Sequence, residues 1–136
     1  MDLGLVDVVL FSLFVFQAKH LLCDFVLQTS DQIQSKGHYL RAGGVIHAGL
    51  HAIGSIPALM VLTRAPELIG ALIIFEFLLH YHVDYTKARL DAALRFSNTS
   101  TIYWTIFGTD QMVHQLTYLS MVYLVLHIGP VQPIML

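Results

Sequence analysis

Residues 67–90 read ELIGALIIFEFLLHYHVDYTKARL, and the stretch from Leu68 to Leu79 holds a single ionisable residue, Glu76. At about 1.5 Å of rise per residue the segment is long enough to cross a hydrocarbon core of about 30 Å as one helix. Glu76, His80 and Asp84 follow one another at intervals of four, so on a helix they form one polar seam among apolar neighbours. Ionisable groups at bilayer depth cost about 2.5–3.5 kcal/mol each for Asp, Lys and Arg on insertion scales, so such a seam needs partners or a task.

The rest of the chain fits this reading. Of 136 residues 56% are hydrophobic and 12% charged, where a soluble domain carries about 25% charged. Three further apolar runs complete an all-α, integral-membrane four-helix bundle in a single domain, with spans at about residues 3–28, 44–63, 67–90 and 103–128. That leaves no room for an independent extramembrane enzyme. The start of the chain lacks a basic n-region and a cleavage site, so it is expected to stay as the first span rather than be removed. Pro57 lies within the second span, where it would kink the helix. A net charge of −2 offers no basic surface for nucleic acid, and the single Cys23 excludes an intrachain disulfide or a multi-cysteine metal cluster.

Loops one (29–43) and three (91–102) lie on one side of such a bundle. With their flanks they hold Lys36, Arg41, Lys87, Arg89 and Arg95, whereas the opposite side has Arg64 alone. The positive-inside rule then places these loops in the cytoplasm and both termini outside, in a multi-pass membrane protein.

Each span carries ionisable residues at i, i+4: His20 and Asp24, His47 and His51, His80 and Asp84, Asp110 and His114. Neighbouring spans run in opposite directions, yet all four pairs fall in the cytoplasmic half. Five imidazoles and three carboxylates therefore share one layer, enough for two divalent ions with about four protein ligands each. The donor set suits zinc first, with iron or manganese as alternatives. The competing reading is a metal-free Asp–His hydrogen-bond network that glues the bundle. Asp84 and Asp110 are the candidate catalytic carboxylates, and Gln28 and Lys87 are candidate substrate contacts at the cytoplasmic lip. Gln17 shares the His20/Asp24 face. Lys19 leans deeper and is expected to pair with Glu76, at comparable depth, while Tyr118 is placed either to bond into the site or to pack. His38, His82 and His127 fall off the layer and are not expected to be ligands.

The motifs His20-x-x-x-Asp24-Phe25-x-x-Gln28, His47-x-x-x-His51, Glu76-x-x-x-His80-x-x-x-Asp84-x-x-Lys87 and Asp110-Gln111-x-x-His114 make the chain resemble a family of small bacterial and phage integral-membrane proteins known only as a domain of unknown function. The resemblance covers nearly the whole chain and implies the bacterial inner membrane as its location, but no particular reaction. A looser likeness to membrane-bound metal-dependent hydrolases, which place His and Asp ligands on short spans, implies hydrolysis by analogy.

Three function classes remain open. One is a hydrolase of an anionic, lipid-linked phosphate ester or anhydride at the cytoplasmic membrane face. The second is a di-iron lipid oxidase or hydroxylase, and the third a non-enzymatic metal-binding or transport protein. The absence of adjacent His pairs, and the apolar outer halves of spans one, two and four, favour the first. The sequence leaves the metal's identity open, together with any assembly into a homo-oligomer.

Overall fold

A computed structural model describes residues 4–129; Leu3, the start of the first expected span, lies outside them. The elements are all helices. Helix α1 (Leu5–Leu21) runs into a π-helical turn (Leu22–Val26), followed by a short α2 (Ser30–Ser35), α3 (Ala42–Gly54), α4 (Ile56–Leu62), α5 (Pro66–Leu94) and α6 (Thr101–Ile128). Three helical stretches are long and apolar enough to cross a membrane: Leu5–Val26, Ala42–Leu62 and Pro66–Leu94. The fourth expected span coincides with α6, whose 28 residues give it the length, but whose apolar run is interrupted by Gln111, His114, Gln115 and Thr117.

The second expected span is two helices rather than one kinked rod. Pro57 has no N–H to offer the carbonyl of Ile53, so the α3 ladder ends at Gly54 and α4 starts beyond Ser55. The Ser55 hydroxyl donates back to the His51 carbonyl at 3.2 Å, satisfying an acceptor at the break.

Loop one also contains more structure than a connection. Thr29 N–H donates to Gln32 Oε1 at 2.8 Å and Gln32 N–H to Thr29 Oγ1 at 3.3 Å. This reciprocal pair is a capping box that starts α2. Helix α2 then lies directly against α3, because Gly43 has no side chain: a Cβ there would come within 2.6 Å of both Asp31 Oδ2 and Ser35 Oγ.

Helix α1 packs against α4 and α6, α3 against α5, and α5 against α6. At one end of the assembly Val8, Phe16, Leu59, Leu62, Met121 and Val125 form a dry core. There Ser12 Oγ donates to the Ala58 carbonyl at 2.9 Å, a short link that draws α1 and α4 together. Phe16 stacks on Tyr118 with ring centroids 5.1 Å apart. The Tyr118 hydroxyl marks where the apolar end gives way to a polar layer. Helix α5 stops at Arg95, which takes left-handed backbone angles (φ 48°, ψ 41°).

Candidate metal centre

The polar layer is assembled from α1 with its π-turn, α3, α5 and α6, each supplying residues one helical turn apart. Asp24 Oδ1 lies 3.0 Å from His47 Nε2 and 3.3 Å from His51 Nε2, and Asp24 Oδ2 is 3.2 Å from His20 Nε2. Asp84 Oδ2 is 3.4 Å from both His47 Nε2 and His80 Nε2, while Asp84 Oδ1 faces His114 Nε2 at 3.5 Å. Asp110 Oδ1 lies 3.6 Å from the same His114 nitrogen. Thus the structure brings together all eight residues expected to form the layer.

His80 is the middle of the arrangement. Its ring lies between those of His51 and His114, with centroids 3.9 and 4.2 Å away and planes inclined by 32° and 30°. Two sets of donor atoms are close enough to hold an ion each: Asp24, His47, His51 and His80 form one, and His80, Asp84 and His114 the other. His20 and Asp110 belong to neither set. Both His20 nitrogens are engaged, Nδ1 with the Tyr118 hydroxyl at 2.9 Å and Nε2 with Gln111 Oε1 at 2.9 Å. His20 therefore buttresses Asp24.

Several buried atoms in this layer lack a well-formed hydrogen bond among the described residues: His51 Nε2, His80 Nε2 and Asp110 Oδ1 have only His–carboxylate contacts at 3.3, 3.4 and 3.6 Å, and His80 Nδ1 has no hydrogen-bond partner. A buried group left unsatisfied costs about 1–3 kcal/mol. Imidazole nitrogens and carboxylate oxygens converging in this way fit a borderline or hard divalent cation. The donor set satisfies the chemistry of such an ion without a thiolate.

Beneath the layer, Lys19 meets the partner expected for it: Nζ is 2.5 Å from Glu76 Oε1, with both side chains buried. Lys19 also donates to the Tyr118 hydroxyl at 3.1 Å and lies 3.5 Å from His51 Nδ1. Tyr118 thus bonds into the site as well as packing. Gly54 makes room for the lysine stem, since a Cβ there would lie 2.8 Å from Lys19 Cγ.

Above the layer a pocket of about 280 Å³ opens between Asp24, Gln28, Lys36, Asp84, Lys87 and Asp110. Gln28 Nε2 sits 3.1 Å from His47 Nε2, so it steadies a ligand candidate as well as lining the pocket. Lys87 pairs with Asp91 at 3.0 Å. Lys36 reaches 2.9 Å from Asp84 Oδ2 and 3.9 Å from Asp24 Oδ1. From sequence, Lys36 counts only among the basic residues of loops one and three that set the orientation. The signal for more was the Thr29-x-x-Gln32 box, which makes loop one a positioned helix with Lys36 at its end. Gln111, quoted only within a motif, is the second residue whose role was not seen. Gln17 turns aside to hydrogen-bond Gln115. His38, His82 and His127 are exposed, each directing Nδ1 at a main-chain carbonyl four residues earlier.

A family model described as protein of unknown function (DUF3307) matches residues 9–132. The chain belongs to that family. No curated protein and no solved structure matches it significantly.

Proposed function

We propose that this member of DUF3307 is a four-span integral-membrane hydrolase of phosphate esters or anhydrides, with two divalent ions, zinc first, held in the His/Asp layer on the cytoplasmic side of the bacterial inner membrane. The observation that carries this reading is the convergence of imidazole nitrogens and carboxylate oxygens in two sets that share His80, whose Nδ1 has no hydrogen-bond partner among the described residues. A metal-free network would leave that nitrogen unsatisfied. Asp24, His47, His51 and His80 would hold one ion, and His80, Asp84 and His114 the other. Bound ions would supply Lewis acidity toward a phosphoryl oxygen and lower the pKa of water toward about 7.

The chain's own residues supply the rest. Asp110 has Oδ2 accepting from Gln111 at 3.2 Å and Oδ1 buried 3.6 Å from His114 Nε2. It borders the pocket, where its carboxylate can take a proton from an attacking water. Asp84 pairs with Lys36 and orients the imidazoles of His47, His80 and His114. Lys36 and Lys87 face the same cavity, paired with Asp84 and Asp91 among its four carboxylates; with two divalent ions bound, the cavity would carry the net positive charge suited to an anionic headgroup. Gln28 and Gln111 hold His47 and His20 in position. The outward-facing apolar residues, among them Phe11, Phe14, Ile74 and Leu116, suit a lipid environment.

The test is phosphate release from a panel of lipid phosphates, pyrophosphates and nucleotides by metal-loaded protein in detergent, with Asp110→Asn alongside. The expected result is metal-dependent release that the Asp110→Asn protein loses. No release across the panel, together with oxygen consumption by iron-loaded protein, would transfer the assignment to the oxidase class.

A further inference from the structure

A second cavity, a groove of about 420 Å³ between α5 and α6, shares Lys87 and Asp110 with the polar pocket. Its size falls within the range of about 300–1,000 Å³ usual for small-molecule sites. By sequence the groove is not apolar, since Thr86, Thr105, Thr109 and His82 all line it. By hydrogen bonding it is. Thr86, Thr105 and Thr109 each donate their hydroxyl to the carbonyl four residues earlier, at 2.7, 3.0 and 2.8 Å, and His82 Nδ1 lies 2.7 Å from the Leu78 carbonyl. Back-bonding of this kind hides the hydroxyl and presents the threonine methyl. The charged groups on the groove wall are therefore Lys87 and Asp110, where it meets the pocket. Farther from the α5–α6 connection, its lining is Leu79, Val83 and Val113.

We infer that this groove binds the hydrocarbon chain of a phosphate-bearing lipid whose headgroup occupies the pocket at Lys36 and Lys87. Continuity through Asp110 and Lys87 joins an apolar groove to a polar pocket, which fits an amphiphile, and the two divalent ions of the proposed function, outweighing the pocket's excess of carboxylates over lysines, would suit that end to an anionic head. The cavity near Ile56, Met60 and Arg64 lacks that connection. The inference rests on the hydrolase reading for the role of the headgroup, and it names the substrate class: a long-chain phosphate ester aligned by its tail, with the phosphoryl group delivered beside Asp110.

The probe is hexadecylphosphonate carrying a diazirine in its chain, which cannot be hydrolysed at the carbon–phosphorus bond. It is photolysed with the intact metal-loaded protein in detergent and the adducts are mapped by mass spectrometry. Adducts should concentrate on Leu79, Val83, Ile106 and Val113, and should fall several-fold in Val83→Trp and Val113→Trp. The exposed-face control Leu116→Trp should label like the wild type, with metal content measured in every variant. The same diazirine on hexadecanol should lose the concentration on these residues. Adducts spread evenly over the lipid-facing residues, or an identical pattern with hexadecanol, would overturn the inference even if phosphate release is observed. Localised adducts without phosphate release would leave the groove standing and remove the hydrolase.

Discussion

Removing the shared ring of His80 should weaken both metal positions and empty the second, whereas removing His51 should weaken one and empty neither. His80 belongs to a set of four donors and to a set of three, while His51 belongs only to the first. Structural zinc sites with four ligands bind with about 10–16 kcal/mol, or about 3 kcal/mol per ligand, so each lost ligand weakens affinity by about 100-fold. His51→Ala therefore lowers one position by about that factor. His80→Ala lowers both and leaves only two donors in the second set, too few for tight binding. The assay is metal per protein by mass spectrometry after dialysis against a chelator whose affinity lies between that of three donors and that of two. Two ions are expected for the wild type, His82→Ala and His51→Ala, whose sets keep at least three donors, and one for His80→Ala, whose second set keeps two. Full metal content in His80→Ala, or equal losses in His80→Ala and His82→Ala, would refute the arrangement.

Glu76→Leu leaves the Lys19 ammonium buried without its carboxylate and should cost about 3–5 kcal/mol, while the double variant Lys19→Met/Glu76→Leu should recover most of this; thermal melts in detergent of the wild type, the single variants Lys19→Met and Glu76→Leu, and the double variant check it. Arg95→Gly relieves left-handed backbone at the end of α5 and should raise stability by about 1 kcal/mol, read from the same melts. With Cys23 replaced by Ser, a membrane-impermeant maleimide applied to intact cells should label Arg64→Cys and spare Asn98→Cys; the reverse would invert the proposed orientation.

The sequence carried the helices and the layer because both are written in local spacing. Four i, i+4 pairs and the alternation of spans were enough to place His20, Asp24, His47, His51, His80, Asp84, Asp110 and His114 together. The Lys19–Glu76 pair followed from depth alone. The features that escaped depend on contacts between distant residues. Lys36 enters the site only because Gly43 lets α2 approach α3, and Gln111 matters only because His20 of another helix faces it. The break at Ser55 was half visible in Pro57, but whether a proline bends a helix or ends it depends on whether other groups satisfy the freed carbonyls.

The π-turn at Leu22–Val26 bears on how relatives of this chain can differ. Leu27 N–H donates to the Leu22 carbonyl at 2.8 Å, five residues back, so the turn holds one more residue than an α-helix would. Phe25 and Val26 are exposed, and their side chains are free to vary. Their number is not. A chain one residue shorter here would relax into continuous α-helix, and the part of α1 before the turn would rotate by about 100° relative to the chain beyond Val26. Phe16, Lys19 and His20 would then swing away from Tyr118, Glu76 and Gln111. Across the family, substitution in this segment should be common, and insertion or deletion absent unless a neighbouring helix changes length to compensate.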